Sequence, residues 1–153
     1  MLVFISIATI GLIGGAPEAA VTSTLVPNLA NAEPHEIDWN LLAQLDYKTG
    51  IPSKVLGALD GAKVKIPGFI VPLDDEFSKI TQFLLVPSPQ ACIHVPAPPP
   101  NQMVLVHMSA DKGAEFTPAP VWIEGILQLN AKDSVYGKAS FSMEATAISR
   151  YSQ

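Results

Sequence analysis

From Lys63 onward apolar positions recur at every second residue. Val64 and Ile66 alternate with Lys63 and Lys65; Val121, Ile123, Leu127 and Leu129 alternate with Trp122, Glu124 and Gln128; Phe141, Met143, Ala145 and Ala147 alternate with Ser140, Ser142, Glu144 and Thr146. Side chains of a strand point to opposite faces in turn, so this period predicts half-buried antiparallel strands. The runs from Ile80 to Val86 and from Met103 to Met108 complete a set of five, and the first, apolar on both faces, reads as a central strand. The inward positions, and therefore the expected core, are Val64, Ile66, Phe83, Leu85, Val104, Val106, Val121, Ile123, Leu127, Phe141 and Met143.

Ahead of the strands the period is longer. Between Ile37 and Leu59, Trp39, Leu42 and Leu45 or Asp46 fall three to four residues apart, with Asp38 placed as an N-cap and Gly50 as the stop. Pro52 and Ser53 then open a second short helix over KVLGAL, which the turn at Asp60-Gly61 closes. Glycines inside the strand patterns, Gly68 and Gly125, mark sharp bends. The expected fold is mainly β: a small antiparallel, partly closed barrel of the OB-like kind, preceded by one or two short helices, with a two-layer sandwich as the competitor.

The first residues follow neither period. Leu2 to Ile13 is uncharged and apolar, and a small, polar stretch leads from it to Ala30-Asn31-Ala32. An apolar run too short to span a bilayer, followed by an A-x-A pattern, is read as a signal peptide over residues 1–32, with one β-barrel-like domain over 33–153. No Lys or Arg precedes the run, and its distance from Ala30 is longer than usual for such a segment. The expected location is periplasmic or secreted, with no stable membrane insertion once the leader is removed.

Composition narrows the partners. Glu18 is the one charged side chain before Glu33, and the chain as a whole carries a net charge of −5. With no basic run, this argues against a nucleic-acid or anionic-membrane surface. Asp74-Asp75-Glu76, the acidic cluster, reads as a solvated turn, too poor in oxygen ligands for calcium.

The sharpest chemical feature is Cys92, the single cysteine, two residues before His94 in ACIH. In an extended segment such neighbours project to one side and can share a metal ion or a proton. An exported lone thiol is exposed to oxidation unless buried, paired or metal-bound. His107, on the strand after the proline-rich stretch VPAPPP, is the expected third ligand, and Met103, Met108 and Glu124 are further candidates. Cysteine with histidine suits zinc or copper. The bland alternative is a buried, inert Cys92. A cysteine nucleophile, with Asn101 or Gln102 orienting its base, competes with a plain strand-initiating turn at those two residues, and no common catalytic motif accompanies it, so an enzyme is unsupported.

The strings DGAKVKIPGFIVPL (60–73), ITQFLLVP (80–87), ACIHVPAPPPNQ (91–102) and PVWIEGIL (120–127) resemble a family of exported bacterial proteins known only as a domain of unknown function, with the signatures DGxxVxIPGFxVPL and ACIHVPxPPPNQ. In this chain Ala97 interrupts what the family has as a run of five prolines, and VPSPQ replaces a more aromatic, glycine-containing approach to Ala91. The resemblance implies no activity, but it implies company with metal-uptake or transporter components. The expectation is therefore an exported accessory protein that binds zinc or copper in envelope metal homeostasis through Cys92, His94 and His107. The alternative is a non-catalytic module docking to a membrane transporter through the proline-rich loop, with Cys92 structural.

Overall fold

The computed structural model describes residues 33–73, 78–89, 97–109 and 113–152; the expected signal peptide and the acidic cluster at 74–76 lie outside them. A two-residue strand β1 (His35–Glu36) leads into α1 (Trp39–Leu42), a turn region and α2 (Lys54–Gly57). Five strands then carry the fold: β2 (Lys63–Pro72), β3 (Gln82–Val86), β4 (Val104–Met108), β5 (Val121–Gln128) and, after the small hairpin β6 (Lys132–Ser134) and β7 (Gly137–Ala139), β8 (Phe141–Arg150).

These five strands close on themselves. The order is β2-β3-β4-β8-β5, and β5 pairs back onto β2. Only the β4–β8 contact in the ring is parallel. This is the Greek-key order of an OB-like barrel, so the mainly-β expectation holds and the barrel is closed.

Closure depends on one long strand serving two neighbours. β2 pairs with β5 from Lys63 to Gly68 and with β3 from Phe69 to Pro72. Gly68 lies where it passes from one to the other, and a β-carbon there would come within 2.7 Å of the Leu85 side chain. Gly125 sits at the irregularity where β5 shifts register on β8; a β-carbon there would run into the carbonyl oxygen of Glu144 and lie 2.7 Å from Ala145 Cα. Both strand glycines are thus positions of close approach.

All inward residues expected from the period-two pattern are buried, none more than 3% exposed. Leu42, Leu45 and Leu56 from the helical region join the same interior cluster. The wall made by β3 and β4 is apolar on its other side as well: Leu84, Val86, Met103 and Leu105, with Ala139, form a second buried cluster. The doubly apolar run in β3 is explained by these two clusters, with a strand hydrogen-bonded on either side. Ile80 stands apart from β3, in an isolated bridge to Ala114.

The first helix is shorter than its periodicity predicts. Asp38 caps it, its carboxylate accepting from Leu41 N at 2.8 Å. The helix nevertheless stops at Leu42 rather than continuing to Gly50. Asp46 accepts the backbone N–H groups of Lys48 and Thr49 on its side chain, an Asx turn that competes with helical hydrogen bonding. Gly50 then takes a φ of 76° and the chain bridges Asp46 to Ile51. Leu45 remains in the core at 6% exposure, so the spacing reported burial correctly and helix length wrongly. The second helix opens after Ser53, as expected, with the Ser53 hydroxyl accepting from Leu56 N at 3.2 Å, and it ends at Gly57.

Candidate functional site

The connection from β3 to β4 runs from 87 to 103 and contains the ACIH segment. Cys92 and His94 lie outside the described residues. The leg that returns the chain to the barrel is described, and it is built as an anchor. Pro99 is extended (φ −63°, ψ 153°) and leads into a single 3-10 turn, Pro100–Gln102. Asn101, only 8% exposed, donates its amide to the carbonyl oxygens of Ala43 at 3.2 Å and Leu45 at 2.9 Å. Gln102 donates to Trp39 O at 3.2 Å and to Asn101 O at 3.1 Å. Carbonyls past the end of a helix have no partner within it, so the Asn101 amide satisfies groups that the turn after α1 leaves open, while Gln102 adds a second donor to Trp39 O, which already accepts from Ala43 N. On the other side Pro100 O accepts Ser140 N at 2.8 Å. The base of the proline-rich leg is therefore tied both to the N-terminal helical region and to the approach of β8.

Asn101 and Gln102 form the turn that leads into β4, as the sequence suggests, and their amides also hold the helical region. The signal was present in the sequence, since two amide side chains directly follow the prolines, but their partners lie about sixty positions earlier and only folding brings them together.

His107 lies near the far end of β4. It is paired with Gln82 at the start of β3 and with Glu144 on β8. Three residues of strand, about 10 Å, separate it from Val104, where the loop ends. Its Nδ1 stands 3.7 Å from Glu144 Oε1, with the two side chains 41% and 58% exposed. A contact this open to water contributes little, between about 0 and 1 kcal/mol even when the imidazole is protonated. The other proposed ligands are dispersed. Met103 is buried in the outer cluster, Met108 packs against the interior one, and Glu124 faces Lys65 across the β2–β5 ladder. Among the described residues no three His, Cys, Asp or Glu side chains gather into a metal-binding group. No helix among them is long and apolar enough to cross a membrane.

The class is thus a small closed barrel of the OB-like kind that carries a proline-rich connection on an amide-anchored base. The family model described as protein of unknown function (DUF3299) matches residues 30–150, and the chain belongs to that family. It is also similar to a DUF3299 family protein from Pseudomonas aeruginosa PAO1, solved by crystallography at 2.45 Å resolution. The two share 30% identity and a TM-score of 0.63, over 80% of this chain and 99% of that one. No curated protein matches the chain.

Proposed function

We propose that the working part of this protein is the 91–96 segment of the β3–β4 connection, and that it binds a soft transition metal, zinc or copper, through Cys92 and His94. On this reading the protein is an exported accessory or carrier in envelope metal homeostasis. The observation that supports it is the anchored base: Asn101 and Gln102 hold one end of the loop to α1 and the turn after it with three hydrogen bonds. A loop whose base is fixed loses less conformational entropy when its ligands close on an ion. His107 is the third ligand on this reading. Binding releases the thiol proton, so affinity falls as pH drops below the ligands' pKa values.

Metal analysis of protein isolated from the exported fraction tests this reading. About one zinc or copper per chain is expected, lost in Cys92→Ser and weakened in His107→Ala only if His107 is a ligand. Metal-free protein whose Cys92 thiol reacts identically with and without chelator overturns it. A second reading, docking to an envelope transporter through the loop with Cys92 structural, is favoured by the exposure of Ala97 and Pro99 just ahead of the anchored turn. Replacing Pro98 and Pro99 by glycine then abolishes capture of the transporter component without changing metal content.

A further inference from the structure

Both tryptophans of the chain are half-buried, and each is pinned at the same surface. β1 pairs with β2 in parallel, and Ile37 N donates to Lys65 O at 2.9 Å. The next rung of that ladder would come from the backbone of residue 39 to Pro67 O, but at Asp38 the chain turns into α1. The indole Nε1 of Trp39 takes the rung instead, 2.6 Å from Pro67 O. Pro67 has no N–H of its own to satisfy, so this length of β2 is sealed by a side chain rather than by a strand. Across the surface, Lys65 Nζ sits 4.5 Å over the Trp122 ring, and the Tyr151 ring packs at 5.2 Å from it.

These rings wall two adjoining pockets that share Pro67 and Tyr151. One, about 270 Å³, is lined mainly by Trp39, Phe69, Pro87 and Pro120. The other, about 440 Å³, adds Trp122, Leu41 and the carboxylates of Glu36 and Asp38, with the Lys65 ammonium over its Trp122 wall, so the two carboxylates leave it net negative. Hydrogen bonds of Asp38 to Leu41 N and Asn40 hold its carboxyl below the usual carboxylate range, so it is charged at neutral pH.

We infer that this surface binds a proline-rich peptide segment of a partner protein in the polyproline II conformation, with a basic residue beside the prolines. Aromatic and proline walls match the ridged, apolar surface of a polyproline II helix, whose low entropy of ordering makes shallow pockets sufficient. The first pocket takes prolines. The second takes the cation, opposite Glu36 and Asp38. The pinning of Trp39 by Pro67 and of Trp122 by Lys65 and Tyr151 means that the walls exist before the ligand arrives, which reduces the ordering cost of binding. This surface uses none of the residues assigned to the metal reading, so the two stand or fall separately.

Because Trp39 and Trp122 are the only tryptophans, their two indole N–H resonances report on this surface alone. The probe is a synthetic peptide of repeated Pro-x-x-Pro ending in arginine, titrated into the full protein labelled with nitrogen-15. Saturable shifts of both resonances at submillimolar peptide are expected. Glu36→Lys, an exposed change that leaves the fold intact, weakens binding by about fivefold, and a peptide with glutamate in place of arginine recovers the loss on that variant. Tyr151→Ala weakens binding at least about tenfold. The inference is overturned by unmoved indole resonances at millimolar peptide, by equal binding of a control peptide with glycine for proline, or by indole shifts that follow protein concentration alone, which would mean that a second copy of the chain occupies the surface.

Discussion

The barrel and the base of the proline-rich loop are neighbours held by different forces. The barrel is redundant: five strands share ladder hydrogen bonds around a closed ring, and its interior draws apolar side chains from every strand and from both helices. The loop base is sparse. Two amides, Asn101 and Gln102, and the single bond from Ser140 N to Pro100 O carry most of its attachment. Apolar burial is additive and tolerant of small displacements, whereas a buried amide aimed at a carbonyl has one geometry in which it is satisfied. Damage to the barrel should therefore be global and damage to the base local.

The largest effect expected is in the barrel interior. Phe83 is fully buried, and Phe83→Ala should lower unfolding free energy by about 3–5 kcal/mol, with the whole sheet losing exchange protection together in chemical denaturation and hydrogen-exchange measurements. A loss confined to β3 would show that the ring is not one cooperative unit.

Next comes the closure of the ring. Gly125→Ala places a methyl group against the backbone of Glu144 and Ala145, and should cost about 1–3 kcal/mol by denaturant titration. An unchanged midpoint would mean that β5 and β8 separate there more easily than a closed barrel permits.

At the loop base the difference between the regions is tested directly. Asn101→Ala leaves the carbonyls of Ala43 and Leu45 without their partner and should cost about 1–3 kcal/mol. Exchange should accelerate around 39–46 while the amides of β3 and β5 keep their protection. Uniform acceleration would erase the distinction drawn between base and barrel.

The smallest effects belong to the caps. Asp38→Ala should cost about 1 kcal/mol, and Ser53→Ala a similar amount. In acid, Asp38 and Asp46 act with a definite sign. Both have folded-state pKa values lowered from 3.8, chiefly by backbone hydrogen bonds from Leu41 and Lys48 respectively. Their stabilisation is complete above the unfolded value and is lost as pH falls below it through the folded values. These two groups should leave stability flat from neutral pH down to about 5 and reduce it below about 4, modestly because both carboxylates are solvated. If Asp38→Asn and Asp46→Asn together leave the acid limb unchanged, the caps contribute nothing through ionisation.

How far the sequence alone reached follows from the range of the forces. A strand with a buried face must repeat at two, and a slip of one residue would turn every apolar group outward, so Val64, Ile66, Val121, Ile123 and Phe141 could be read as core before any pairing was known. The cap at Asp38 was legible for the same reason, since it bonds within three residues of itself, and so was the start of the second helix at Ser53. The length of α1 was not, because the Asx turn at Asp46 competes locally with the helix and the open carbonyls of Ala43 and Leu45 beyond it find their donor in Asn101, about sixty positions later.

Sequence by itself thus determined the five strands of the barrel, their register parity, their inward residues and the position of the sharpest chemical group, Cys92, beside His94, but not β1 or the β6–β7 hairpin. Tertiary structure alone decided that β2 divides its two halves between β5 and β3 to close the ring, and that His107 faces Glu144 about 10 Å along β4 from the loop's end. It also decided that Trp39 completes the edge of β2 at Pro67. Each of these joins groups far apart in the chain. Periodicity records which face of a strand is dry; it carries no information about which distant partner a hydrogen-bonding edge or a side chain will meet.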